Sequence, residues 1–158
     1  MNRLIESGAG IQSFRRSAFH VVCALFALGA VSVRAGANWD GGGTDNLTST
    51  KENWDADTVP GGGSALTFGG ASPIGSTIVW DFSTGLNPGS ITFPSGALGY
   101  TLNDPAAPTL IQIVQGSGGG VYNNSGNTQT LNKRVDVFYN GVKQFDANTA
   151  NLVLGKDV

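Results

Sequence analysis

Beyond residue 37, no stretch of a dozen residues carries an apolar stripe of helical period, so that part of the chain must fold as something other than helices. Its apolar residues fall in short alternating runs: Leu66-Thr67-Phe68, Ile91-Thr92-Phe93, Tyr100-Thr101-Leu102 and Leu152-Val153-Leu154. A period of two places the apolar members of each run on one face of a strand. Between the runs lie turn formers. Of the 121 residues from Asn38 to Val158, 20 are Gly, 12 Asn, 13 Thr and 9 Ser, and Gly and Asn accept the positive φ that tight turns need. Strands are therefore expected at Ala65–Phe68, Ser76–Phe82, Ser90–Phe93, Gly99–Leu102, Leu110–Gln115, Gly120–Tyr122, Thr130–Tyr139, Lys143–Asp146 and Asn151–Leu154. Asn38–Gly63 reads as a Gly-rich loop or cap. Short strands at such spacing suit a sandwich, a barrel or a solenoid. The Leu/Ile-Thr-Phe run recurs after 25 residues, at 66–68 and 91–93, and Leu131 and Leu152 are 21 apart. Both spacings match one coil of a β-solenoid. The expected class is all-β, a β-solenoid of four to five short coils over 64–158, with a β-sandwich as the alternative.

The first 37 residues have a different character. Arg3, Arg15 and Arg16 precede an apolar run from Ala18 to Val31, and the run ends at Val33-Arg34-Ala35-Gly36-Ala37. Basic, apolar and then small residues is the order of a secretory signal peptide, here a helix expected to be cleaved after Ala37, with Ala35 as the alternative site. The run is short for a membrane span. Contact with the membrane is expected only through this leader during export, and the product is expected in the secreted or cell-surface compartment.

Removing the leader changes the available chemistry. Met1, His20 and Cys23, each the only residue of its type, all lie within it. Asn38–Val158 keeps five bases against ten acids. That balance excludes a basic nucleic-acid binder. Without His or Cys the usual nucleophile–base pairs and zinc or copper ligand sets are missing. The acids sit mostly beside Gly, Asn or Thr, where Asp is an ordinary turn residue. Gly41-Gly42-Gly43-Thr44-Asp45 resembles a calcium-repeat turn but occurs once, whereas a calcium solenoid repeats it in register. No catalytic residue, cofactor or metal is expected.

A family resemblance adds to this reading. Trp39-Asp40-Gly41-Gly42-Gly43, Glu52-Asn53-Trp54-Asp55, Pro60 and the strand Ala65-Leu66-Thr67-Phe68 follow one another in an order similar to the amino terminus of autotransporter-associated β-strand repeat proteins of bacterial envelopes. Ser90–Phe93, Gly99–Leu102 and the stretch from Asn123 to Asn132 resemble later coils. The resemblance implies a right-handed parallel β-helix with a passenger or surface role. Such proteins continue for many more coils, so an incomplete solenoid is expected.

Trp39 and Trp54 are the candidate functional residues, either as a sugar-stacking platform or as a cap over the first coil, since a solenoid must cover its open end. Trp80, between Val79 and Asp81 and close to Ile78 and Phe82, reads as core, and Lys133-Arg134 as a solvated basic pair. The expected function is a non-catalytic structural or adhesion segment whose partners are cell-surface glycans or other envelope proteins. The alternatives are a carbohydrate-binding β-sandwich and a fragment of a β-helical polysaccharide-degrading enzyme. The second of these needs carboxylates clustered on one exposed sheet face.

Overall fold

The computed structural model describes residues 36–82, 86–104, 110–114, 119–137 and 144–155. The leader expected at 1–37 therefore lies, up to residue 35, outside the described residues. Among the described residues there are eleven short strands: β1 Ala37–Trp39, β2 Ala65–Phe68, β3 Thr77–Val79, β4 Ser90–Phe93, β5 Thr101–Asn103, β6 Ile111–Ile113, β7 Gly120–Asn123, β8 Gln129–Asn132, β9 Val135–Val137, β10 Gln144–Asp146 and β11 Leu152–Leu154. A single 3-10 turn, Lys51–Asn53, is the other regular element among the described residues.

The strands stack as coils. One sheet runs β1-β2-β4-β7-β10, a second β11-β8-β5-β3, and a third pairs β6 with β9. Among the described residues each coil adds one strand to the first sheet, four coils also add one to the second and two add one to the third, and the five strands of the first sheet are linked by four turns of the chain. All eight ladders between these strands are parallel. The fold is an all-β parallel solenoid. The β-sandwich alternative is overturned, because its neighbouring strands would run antiparallel.

The 25-residue recurrence is the coil itself, since Leu66 pairs with Ile91 and Thr67 with Thr92. The Leu131–Leu152 spacing is not a coil. Leu131 pairs with Leu154 and Leu152 with Gln129, because the hydrogen-bonded register, not the nearest apolar match, sets the step. The strand expected at Thr130–Tyr139 is two strands, β8 and β9, separated by a bend at Lys133. The chain also gains a strand: Ala37–Trp39, expected as leader and loop, pairs in register with Leu66–Phe68.

Alternation decides what is buried. Leu66, Phe68, Ile91, Phe93 and Val121 of the first sheet share one core with Ile78, Leu102 and Leu131 of the second and with Ile111, Ile113 and Val135 of the third. The intervening Thr67, Thr92, Thr101 and Thr130 face outward and are half-buried. Phe68 stacks on Phe93 at 5.7 Å between ring centroids, and Tyr100 closes on both at 5.7 and 6.1 Å. Burying each large side chain contributes about 1.5–3 kcal/mol, so the ring column is a main source of cohesion between coils. The turns use the expected chemistry. In Pro94-Ser95-Gly96-Ala97 the Ala97 N–H donates to the Pro94 carbonyl at 2.9 Å, and Gly96 has φ +84°. That φ at the third position of a four-residue turn is a type II turn.

Polar groups replace apolar ones at several points inside the stack, Asn123 and Lys133 among them. Asn123 pairs in register with Phe93, so the ring column ends on a fully buried amide. Its Nδ2 donates to the carbonyls of Asn127, Ala150 and Asn151 at 3.0, 3.0 and 2.9 Å, and its Oδ1 accepts from the Ser125 N–H and hydroxyl. One side chain thus fastens the fourth coil to the fifth. Lys133, expected in solvent, is buried. Its Nζ lies 3.2 Å from Asp104 Oδ1 and 3.4 Å from the Trp80 carbonyl. The ammonium ties together the corners of three successive coils, and the ion pair and hydrogen bonds offset the cost of taking the charge out of water.

Candidate functional site: the amino-terminal cap

The sequence-predicted site residues, Trp39 and Trp54, are brought together. Trp39 ends β1, and the chain then loops out over residues 40–53 before Trp54 returns. The two form an antiparallel bridge. Around it the Asp55 N–H donates to the Asn38 carbonyl at 2.9 Å, and the Asn38 side chain donates to Asp55 Oδ2 at 2.7 Å. The returning segment therefore covers the outward edge of β1.

The rings close the end of the core. They meet edge to face at 5.3 Å, with Phe68 at 5.9 Å from each, and Trp54 stacks on Phe82 at 6.0 Å. Phe82 in turn meets Trp80 edge-on at 5.1 Å. Trp54 is 0% exposed and Trp39 3%. Neither indole offers a face on which a sugar could stack. Their N–H groups are satisfied, Trp54 Nε1 donating to the Thr48 carbonyl at 2.9 Å and Trp39 Nε1 to Ser72 Oγ at 3.4 Å.

Short polar side chains hold the loop that positions Trp54. Asn53 is fully buried. It accepts from the Gly43 N–H at 3.0 Å and donates to the Asp45 and Leu47 carbonyls at 3.1 and 2.9 Å. Asp40 accepts from the Gly42 N–H at 2.9 Å, a local turn bond. Asp45 accepts from the Leu47 N–H at 3.1 Å and the Thr50 hydroxyl at 3.0 Å. These bonds, the Leu47 N–H first, hold its carboxyl below the usual carboxylate range. Glu52 is also held low, by its own backbone N–H and by Lys51. Asp81, from the second coil, accepts from Thr48 Oγ1 at 3.1 Å and the Ser49 N–H at 2.8 Å, and Leu47 bridges in parallel to Val79. The loop is thus fastened to the strand stack at a second point.

The carboxylates of this region serve as acceptors for turn donors. Among the described residues no group of three or more His, Cys, Asp or Glu is placed to hold a metal ion. On the strands, Asp136 belongs to β9 and Asp146 to β10, in different sheets. A cleft of about 190 Å³ opens beside the cap, lined by Ala37, Asp55, Val59, Pro60 and Ser64 among others. Its acid, Asp55, is already bonded to Asn38. Sequence reasoning found the tryptophans through their size and spacing. It missed Asn53, Asp45 and Asp81, whose signal, short polar residues next to Gly and Thr, is the same as that of any solvated turn.

Comparison with family models, with curated proteins and with solved structures finds no match for this chain.

Proposed function

We propose that this chain is an exported, non-catalytic structural or adhesion segment of a bacterial cell surface, a β-solenoid that begins with a self-sealing cap. The observation that carries the reading is the placement of that cap directly behind the apolar leader. The first strand starts at Ala37, two residues after the leader's Ala35. A chain emerging amino terminus first can therefore close its leading end with Trp39 and Trp54 before later coils are added. Cleavage belongs after Ala35 in this reading, because cutting after Ala37 would remove the residue that pairs with Leu66. The absence of Cys beyond residue 23 fits folding that does not depend on disulfides. The carboxylates of Asp45, Asp55 and Asp81, each bonded at both oxygens to donors within the cap, support a mechanical role over a chemical one. Other envelope proteins or cell-surface glycans are the partners, met on the half-buried Thr, Asn and Tyr side chains outside the sheets and not on the tryptophans.

The test is expression of the whole sequence in a bacterial host, followed by fractionation and amino-terminal sequencing. The reading expects protein outside the inner membrane starting at Gly36, and protease or antibody access to it on whole cells. Cytoplasmic protein with its leader retained would overturn it.

A further inference from the structure

The coil step holds Asp104 and Lys133 against each other. In the second sheet Val79 pairs with Asn103, and Asn103 with Asn132. Trp80, Asp104 and Lys133 are the next residues along those three strands, so they meet at one corner of the stack. The Lys133 side chain is fully buried and that of Asp104 is 16% exposed. Lys133 Nζ lies 3.2 Å from Asp104 Oδ1, an oxygen bonded to the carboxyl carbon, and 3.4 Å from the Trp80 carbonyl. The positions alongside are pinned as well. The Asn132 side chain donates to Asn103 Oδ1 at 3.0 Å, and the Trp80 N–H donates to the Asn103 carbonyl at 2.8 Å. A primary amine fixed out of water against a carboxyl group is the reactant pair of an amide.

We propose that Lys133 and Asp104 condense to an amide that links neighbouring coils covalently. A newly folded chain holds the ion pair. One proton passes from the Lys133 ammonium to the Asp104 carboxylate, which leaves a neutral amine and a neutral acid. The Nζ lone pair then forms a bond to Cγ. The bond from Cγ to one carboxyl oxygen breaks, and that oxygen leaves as water with a proton from Nζ. The balance needs no oxidant and no further reactant. Three features of the site favour the step. The ladders fix both partners, and groups held in reacting contact behave as if at about 10⁵–10⁸ M, enough to outweigh the mass action of water. The product is uncharged, so condensation removes the desolvation cost that a buried ion pair carries. The amide keeps one N–H on Nζ, and the Trp80 carbonyl already stands there as its acceptor. The exposed part of Asp104 lets the released water escape. In a chain with no Cys beyond residue 23, such a link ties distant segments as a disulfide would.

Mass spectrometry of the full chain, purified folded and denatured only for the measurement, tests this. On incubation from overnight to a week, a growing fraction should be one water lighter than the sequence read from its observed amino terminus. Digestion should give the peptides around Asp104 and Lys133 joined, with no cut after Lys133. Asp104→Ala and Lys133→Met should each keep the full mass and give separate peptides. A chain held in denaturant for the same time should stay unlinked, because only the fold brings the two groups together. Folded protein that keeps its full mass after a week, a water lost with the two peptides still separate, or a link that forms equally in denaturant would overturn the proposal.

Discussion

Replacing Trp54 with alanine removes the largest fully buried side chain of the cap. The indole contacts Trp39, Phe68 and Phe82 and donates to the Thr48 carbonyl. A buried Trp→Ala change costs about 3–5 kcal/mol. The orphaned Thr48 carbonyl adds about 1 kcal/mol. Against a total stability of about 5–15 kcal/mol for a domain, a loss of about 4–6 kcal/mol is large, but a solenoid distributes it unevenly. Apart from the reach of Lys133 to the Trp80 carbonyl, each coil pairs its strands only with its neighbours, so damage at one end opens that end first. Hydrogen exchange read peptide by peptide should show amides of β1 and residues 47–55 exchanging about 1000-fold faster, the factor that about 4 kcal/mol implies, while β5 and β8 keep most of their protection. Trp54→Phe keeps most of the ring packing but loses the N–H, and should cost about 1–2 kcal/mol. The reasoning fails if Trp54→Ala leaves exchange in β1 unchanged, or if protection falls equally in all coils.

Further outcomes follow from the same geometry. Asn123→Asp keeps the size of the side chain but turns a donor to three carbonyls into an acceptor; it should destabilise by about 2–4 kcal/mol in chemical denaturation, more than Asn123→Ala. Gly120→Ala would drive a Cβ into the Gln144 backbone, so the β7–β10 pairing should weaken, seen as faster exchange in β10 with β4 unaffected. Lys133→Met leaves Asp104 without its buried cation and should lower stability by about 3 kcal/mol, with part recovered by adding Asp104→Leu. Asp45 is held below its ordinary value of 3.8 by donors present only when the loop is folded. Its contribution is therefore complete above that value and lost as pH falls through the lowered one. Exchange at residues 45–50 should rise in that acid window, and Asp45→Asn should abolish the pH dependence.

Much of the fold was legible because it rests on alternation. Leu66-Thr67-Phe68 and Ile91-Thr92-Phe93 carry both the strand period and the coil step, and they stack in register as their spacing implies. Register was harder where side chains are less regular. Leu131 skips Leu152 for Leu154, because turns of different length separate β8 from β11 and β5 from β8. The β8–β9 corner was hidden because Thr130 and Leu131 before it and Val135, Val137 and Phe138 after it are all strand-formers. The bend falls where the Lys133 side chain turns inward to Asp104, a long-range contact that no local pattern encodes. Strand β1 was hidden by its position, since the small residues around Ala37 also read as a processing signal. At the cap, tryptophan size announced Trp39 and Trp54. Buried Asn53 and Asn123 look in sequence like any of the chain's other turn asparagines, because burial depends on which coil lies above them.

The central claim is a parallel stack in which residue 66 lies beside residue 91 and residue 91 beside residue 121. Nuclear Overhauser contacts between backbone protons of β2, β4 and β7 test it most directly. The account predicts the Hα–HN pattern of parallel strands linking Leu66 to the neighbourhood of Ile91, and Ile91 to that of Val121. Close Hα–Hα pairs between these segments, the signature of antiparallel neighbours, or no contact among them, would contradict it.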